Sequence, residues 1–343
     1  MSAADQELAE TPRAIEFLPW HGAATERLYA AAAAGRLAHG LLLHGPQGVG
    51  KEQFASALAA ALFCTGRAES LVACGACAEC ALSRAGTHPD LHWVRQLREG
   101  KDQKEKKSIG VDQIRELSES LGMTSMRRGY RVAVVAPADL MTIAAQNALL
   151  KTLEEPAART LIVLVTARPA SLLPTVRSRC QRIEIARPDP RVALGWLTAT
   201  TGGRDAERLL ALAGGAPLKA ERLAPNFEGL EAQMTELLGA LLGEHAEVTG
   251  LAEAMMGEGL PARLDWLEDW VGLALRRKAL GVETKVTVPG GPLLQRAAAE
   301  VNISQAFQIV DRLREARRLL EGSAAPQLLV EALLIRLRTA WGR

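Results

Sequence analysis

Short apolar runs alternate with helical patterning through the first half of the chain, and then the strand signals stop. Leu41-Leu42-Leu43-His44, Leu91-His92-Trp93-Val94, Val132-Ala133-Val134-Val135 and Leu161-Ile162-Val163-Leu164-Val165 are runs of strand length. The last two, continuously apolar, suit central parallel strands covered on both faces. Ile183-Glu184-Ile185 alternates instead and predicts a last strand near the sheet's edge. Between the runs, Glu52 to Leu62 reads as a helix, as does Thr142 to Glu155, with Thr142 as N-cap and Pro156 as stop. The pattern predicts an α/β domain, a parallel sheet flanked by helices.

Arg187-Pro188-Asp189-Pro190 is the best domain boundary, because two prolines interrupt any continuing element. Short helices follow between Pro190 and Leu223, divided by Gly202-Gly203 and Gly214-Gly215, and Pro225-Asn226 reads as a second linker. Beyond it, Leu264, Leu267, Val271 and Leu275 recur at helical spacing, as do Ile309, Leu313 and Leu320, then Leu333 and Leu337. Three domains are expected, at 1–187, 188–226 and 227–343. Lys101 to Lys107 is a mixed-charge stretch, expected as a solvated loop.

Composition supports the helical second half. Hydrophobic residues make up 48% of the 343, but aromatics only 4%. Lysine and arginine number 41 against 39 acids, so global charge does not mark a nucleic-acid binder. No apolar run is long enough to span a membrane. Met1 to Glu10 carries Asp5, Glu7 and Glu10 and lacks a signal peptide's apolar core. With five cysteines, this points to a cytosolic protein, where clustered thiols more often hold metal than form disulfides.

Two motifs carry candidate chemistry. Gly45-Pro46-Gln47-Gly48-Val49-Gly50-Lys51 follows a strand and opens a helix, the context of a phosphate-binding loop. Its glycines would aim backbone N–H groups at phosphate oxygens, and Lys51 would meet the terminal phosphates. The next residue should carry a hydroxyl for Mg²⁺ but is Glu52. The strand that should end in a metal-binding acid continues into Ala136-Pro137. Hydrolysis in this chain is therefore not expected; passive nucleotide binding and an empty inherited loop both stay open. Cys64, Cys74, Cys77 and Cys80 have the spacing C-x9-C-x2-C-x2-C. Four thiolates suit a closed structural Zn²⁺ site within 64–80, against the alternative of free or redox-active thiols.

Asn147 to Pro156 (NALLKTLEEP), Ser178-Arg179-Cys180, the cysteine insert and Gly86-Thr87-His88-Pro89-Asp90 resemble signatures of bacterial clamp-loader subunits of the AAA+ class. The missing acids narrow the resemblance to the delta-prime family within the DNA polymerase III holoenzyme. The resemblance implies an AAA+ P-loop domain, a small helical lid and an all-α collar that joins the subunits. It also implies a hetero-pentamer with gamma/tau ATPase subunits and a delta subunit, opening a sliding clamp and placing it on primed DNA at a cytoplasmic, nucleoid-associated replisome. ATP would sit at the neighbour's site, and Arg179, beside Ser178, would be the arginine finger given in trans. On residue type alone, an ordinary surface arginine or one paired with a local carboxylate is the favoured reading of Arg179; the flanking Ser178 and Cys180 favour the finger. Thr166 matches the sensor position of active members, or is simply a buried capping hydroxyl. Gly45, Gly48, Gly50, Lys51 and Thr166 would form the degenerate nucleotide site. The lid's sensor arginine has no counterpart near Pro217-Leu218; Lys219 is out of register.

Two other functions compete. An ATP-hydrolysing AAA+ motor would need the acids that Glu52 and Ala136-Pro137 replace. A zinc ribbon gripping DNA would need more phosphate contacts than Arg67 and Arg84 provide.

Overall fold

The structure, a computed structural model, describes residues 14–66, 71–99, 104–105, 108–127, 129–243, 245–257, 259–280, 290–320 and 325–341. Met1 to Glu10 and Arg67 lie outside these, as does most of the Lys101 to Lys107 stretch. Of that stretch, Lys104-Glu105 pairs antiparallel with Arg98-Glu99. The chain forms two compact units, Met1–Asp189 and Pro190–Arg343, dividing inside the expected double-proline boundary.

The first unit is built on five parallel strands: β1 (Gly40–His44), β2 (Leu91–Val94), β3 (Arg131–Val135), β4 (Thr160–Thr166) and β5 (Gln181–Glu184). Their order across the sheet is β2-β3-β4-β1-β5. β3 and β4 are buried along their whole length, as their unbroken apolar runs require. Parallel neighbours need crossovers, and helices supply them. In chain order the helices are α1 (Gly22–Ala33), which precedes β1, and then the connecting α2 (Lys51–Phe63), α3 (Ala78–Ala85), α4 (Val111–Gly122), α5 (Ile143–Glu154) and the single turn α6 (Pro174–Arg177). Ile114, Leu117 and Leu121 of α4, with Leu149 and Leu153 of α5, pack on Leu42, Ala133, Val135, Ile162 and Leu164 of the sheet. Thr142 caps α5 by accepting from the Ala145 amide at 3.1 Å.

Because the strands are parallel, all their C-terminal ends share one edge, where ligands of open α/β sheets bind. His44 lies opposite Thr166, so the glycine loop leaves the sheet beside the end of β4. β5 enters at the other edge, with Gln181 opposite Leu41.

The second unit is all helical among its described residues. Helices α7 (Pro190–Thr201), α8 (Ala206–Leu212) and α9 (Pro217–Leu223) come first. They are followed by α10 (Phe227–Leu241), α11 (Val248–Ala254), α12 (Leu260–Leu280), α13 (Gly291–Glu300), α14 (Ile303–Leu320) and α15 (Pro326–Ala340). One core runs through them, joining Leu197 and Leu209 to Leu241, Trp266, Trp270, Leu313 and Leu334. Pro225-Asn226 is not an open linker. It lies in a 3-10 turn that leads straight into α10, and the helices on both sides share the core.

Lys219 of α9 pairs with Asp269 of α12. Burial pushes the Asp269 carboxyl up to about 6, against the pull of Lys219. A folded pKa above the ordinary 3.8 means the native state holds the extra proton, so stability falls as pH rises from about 4 to about 6. Lys219→Met leaves the carboxylate uncompensated and should destabilise this unit by about 3 kcal/mol near neutral pH. At about pH 5, where Asp269 can take a proton, the loss should be smaller. Urea melts at the two pH values test this, and an equal loss at both would contradict it.

Candidate functional site

Backbone geometry shapes the glycine loop. Gly48 and Gly50 have φ of +75° and +86°, left-handed values that side chains resist. At Gly45 an added Cβ would stand 2.1 Å from the Ile185 carbonyl oxygen, so only glycine fits against the chain leaving β5. The Trp20 indole donates to the Val49 carbonyl at 2.9 Å and ties the loop to the segment before α1. Lys51 opens α2, and its Nζ donates to the carbonyls of Gly45 at 2.9 Å and Pro46 at 2.6 Å. Burial draws its pKa down to about 8, opposed by the charges of Glu52 and Asp139.

Both of those carboxylates are already engaged. Glu52 pairs with Arg95, the residue after β2. The Arg95 guanidinium lies 5.0 Å from the Trp93 ring centroid, and the Arg95 carbonyl accepts from Gln113 Nε2 at 2.7 Å. Asp139 sits in the 3-10 turn Ala138–Leu140, just past the end of β3. Its Oδ1 accepts from Thr166 Oγ1 at 2.6 Å, and its Oδ2 accepts from Arg168 Nε and a terminal nitrogen at 2.9 and 2.7 Å. Thr166 Oγ1 also accepts from the Arg168 amide at 2.8 Å, so this hydroxyl works as a cap. Ala136 is buried at the end of β3 and offers no ligand.

The four cysteine sulfurs converge. All lie within 4.8 Å of one another, with Cys77 at 3.5 Å from Cys80 and 3.9 Å from Cys64, and Cys74 at 3.9 Å from Cys80. Tetrahedral bonds of 2.3 Å would set sulfurs about 3.8 Å apart, so this donor set fits a metal ion. Cys64 ends α2, Cys77 caps α3, and Cys80 follows in the first turn of α3. Gly75, at φ +74°, makes the turn between Cys74 and Cys77. The Ala76 and Cys77 amides hold the Cys74 thiol below its usual range.

His88 stays outside this cluster. It stacks on Phe63 at 3.7 Å, contacts Glu79 at 3.2 Å and accepts the Asp90 amide, while burial keeps its pKa low. Glu79 also takes a forked pair from Arg127, at 2.6 to 3.1 Å. The Asp90 carboxylate accepts from Ser125 Oγ and from the amides of Met126 and Arg127. Residues 86–90 therefore clamp α3 and β2 to the loop after α4.

Arg179 lies on the surface at the opposite edge of the sheet. A Cβ on Gly40, at the start of β1, would meet the Arg179 carbonyl oxygen at 3.2 Å. Its guanidinium donates to the Thr175 carbonyl at 2.9 Å and pairs with Glu154 at 2.5 Å. Both side chains are solvent-accessible, 35% for Arg179 and 49% for Glu154, so the pair is a weak tether of about 0–1 kcal/mol.

Residues 20–189 match the family model described as DNA polymerase III, delta subunit. DNA polymerase III subunit delta' of Pseudomonas aeruginosa is 38% identical over 259 residues, spanning 74% of this chain and 76% of its own. This chain belongs to the DNA polymerase III subunit delta' family. The Escherichia coli delta' protein is 37% identical over 282 residues, 80% of this chain and 81% of its own. DNA polymerase III subunit gamma/tau of Mycobacterium bovis is 35% identical over 167 residues, only 49% of this chain and 28% of its own. The delta' likeness thus extends well beyond the part shared with gamma/tau.

No local pattern marks Arg95, Arg127 and Arg168 as the partners of Glu52, Glu79 and Asp139. Charges at strand ends, facing acids at helix starts or in turns, were the available signal. The partners lie 43, 48 and 29 residues away, beyond any local pattern.

Proposed function

We propose that this delta' family member is a non-catalytic subunit of the DNA polymerase III clamp loader, lending Arg179 to the nucleotide site of an adjacent gamma/tau subunit. The observation that carries this is the separation of Arg179 from its own glycine loop. The two lie at opposite ends of β1, whose five residues span about 16 Å, more than an arginine side chain can bridge. An exposed guanidinium that cannot serve its own loop is suited to a phosphate on another chain. The commitments of Glu52 and Asp139, with alanine at 136, support the absence of hydrolysis here.

Within this reading, Ser178 shapes the turn that presents Arg179, since its hydroxyl donates to the Thr175 carbonyl at 3.1 Å. The four cysteines hold a structural zinc ion. Residues 188–226 act as the lid and 227–343 as the collar of a hetero-pentamer that includes delta. That complex loads the sliding clamp onto primed DNA in the cytoplasm. No helix among the described residues is long and apolar enough to cross a membrane. The purified chain should release no phosphate from ATP above background; turnover abolished by Lys51→Ala would instead make it a motor subunit.

A further inference from the structure

The glycine loop keeps its phosphate-binding half and has lost its metal-binding half. Gly45, Gly48 and Gly50 all have positive φ and α2 starts directly after them, an arrangement suited to turning backbone N–H groups toward phosphate oxygens. Lys51 is held only by two loop carbonyls, which a phosphate can displace. Magnesium fits poorly. The hydroxyl position carries Glu52, already neutralised by Arg95; the strand acid is Ala136; and both Asp139 oxygens take hydrogen bonds from Thr166 and Arg168. Arg95 brings a fixed positive charge to the position whose side chain binds the cation in active loops. Its Nε is buried without a hydrogen-bond partner, so a ligand would be met by the terminal guanidinium nitrogens.

We propose that this loop binds the di- or triphosphate of a nucleotide without a divalent cation, Arg95 supplying the charge that Mg²⁺ supplies elsewhere. Arg95 screens Glu52 from the phosphates and offers them its remaining donors, while Lys51 turns from the loop carbonyls to the terminal phosphate. A guanidinium can neutralise charge and fork onto phosphate oxygens, but it cannot activate a water as a bound metal does. Such a site retains ligand without consuming it. The proposal rests on the reading that this chain does not hydrolyse ATP, and it is independent of Arg179.

Equilibrium binding of ADP and of inorganic pyrophosphate to the full chain, each with EDTA and with excess Mg²⁺, tests it. Both ligands should bind in EDTA, and Mg²⁺ should not tighten either. Arg95→Ala should weaken binding by about tenfold or more, since it removes a charged donor and exposes the ligand to Glu52. Glu52→Gln, which frees the guanidinium, should tighten it. Circular dichroism establishes that each variant is folded. Binding that requires Mg²⁺, binding indifferent to Arg95→Ala, retention of ADP but not pyrophosphate, or no binding at all would each overturn the proposal. Hydrolysis would register separately as released phosphate, so failure of the non-catalytic reading is distinguishable from failure of this one.

Discussion

With zinc held as proposed, Cys74→Ser is expected to release the ion and loosen the junction between α2 and α3. Structural zinc sites contribute about 10–16 kcal/mol of apparent binding energy in small domains, and that energy is folding energy for whatever the metal joins. Here the four thiols join the end of α2 to the start of α3, and Cys74 itself is exposed. Without the ion, buried Cys64 and Cys80 lose the charge that makes their thiolate forms favourable in an apolar setting. The sheet and α5 do not depend on the insert, so the effect should be local. Metal analysis should find the zinc lost, and limited proteolysis should cut between α2 and β2 while the sheet core survives. A variant that keeps its zinc and resists cleavage like the parent would remove the metal from the account.

The second large effect concerns Arg179. In the reconstituted complex, Arg179→Ala should slow ATP hydrolysis by about 10³–10⁵ at the site it completes, the range an arginine finger is worth in other nucleotide hydrolases. Its folded-state partners are an exposed carboxylate and one carbonyl, so melting of the isolated chain should barely move. Arg179→Lys should recover little, because an ammonium keeps the charge without the planar fork. Glu154→Gln, which only loosens the tether, should leave the rate close to that of the parent. Steady-state phosphate release separates these outcomes. A similar deficit from Lys51→Ala would assign the chemistry to this chain's own loop.

The strand frame was legible because the central strands of a parallel sheet, buried on both faces, write themselves as apolar runs, while the edge strand Gln181–Glu184 showed instead as the alternation around Ile183. The glycine loop was legible for a different reason: its backbone angles and close contacts admit few residues, so the chemistry is local in sequence. The cysteine cluster is likewise local, with all four thiols that could hold a metal inside residues 64–80. What could not be read was how charges pair across the sheet. Glu52 looks like an intruder beside phosphates until Arg95 is brought next to it. Asp139 looks like a turn residue until Thr166 and Arg168 close over it. Pro225 also misled, because a proline that permits a linker equally permits a 3-10 turn between helices sharing one core.

In the proposed function, one guanidinium acts outside its own domain. The most direct measurement is a structure of the assembled clamp loader with a non-hydrolysable ATP analogue. It should find Arg179 released from Glu154 and within hydrogen-bond distance of the terminal phosphate held by an adjacent gamma/tau subunit. Arg179 still paired with Glu154, with another residue filling that place, would contradict it.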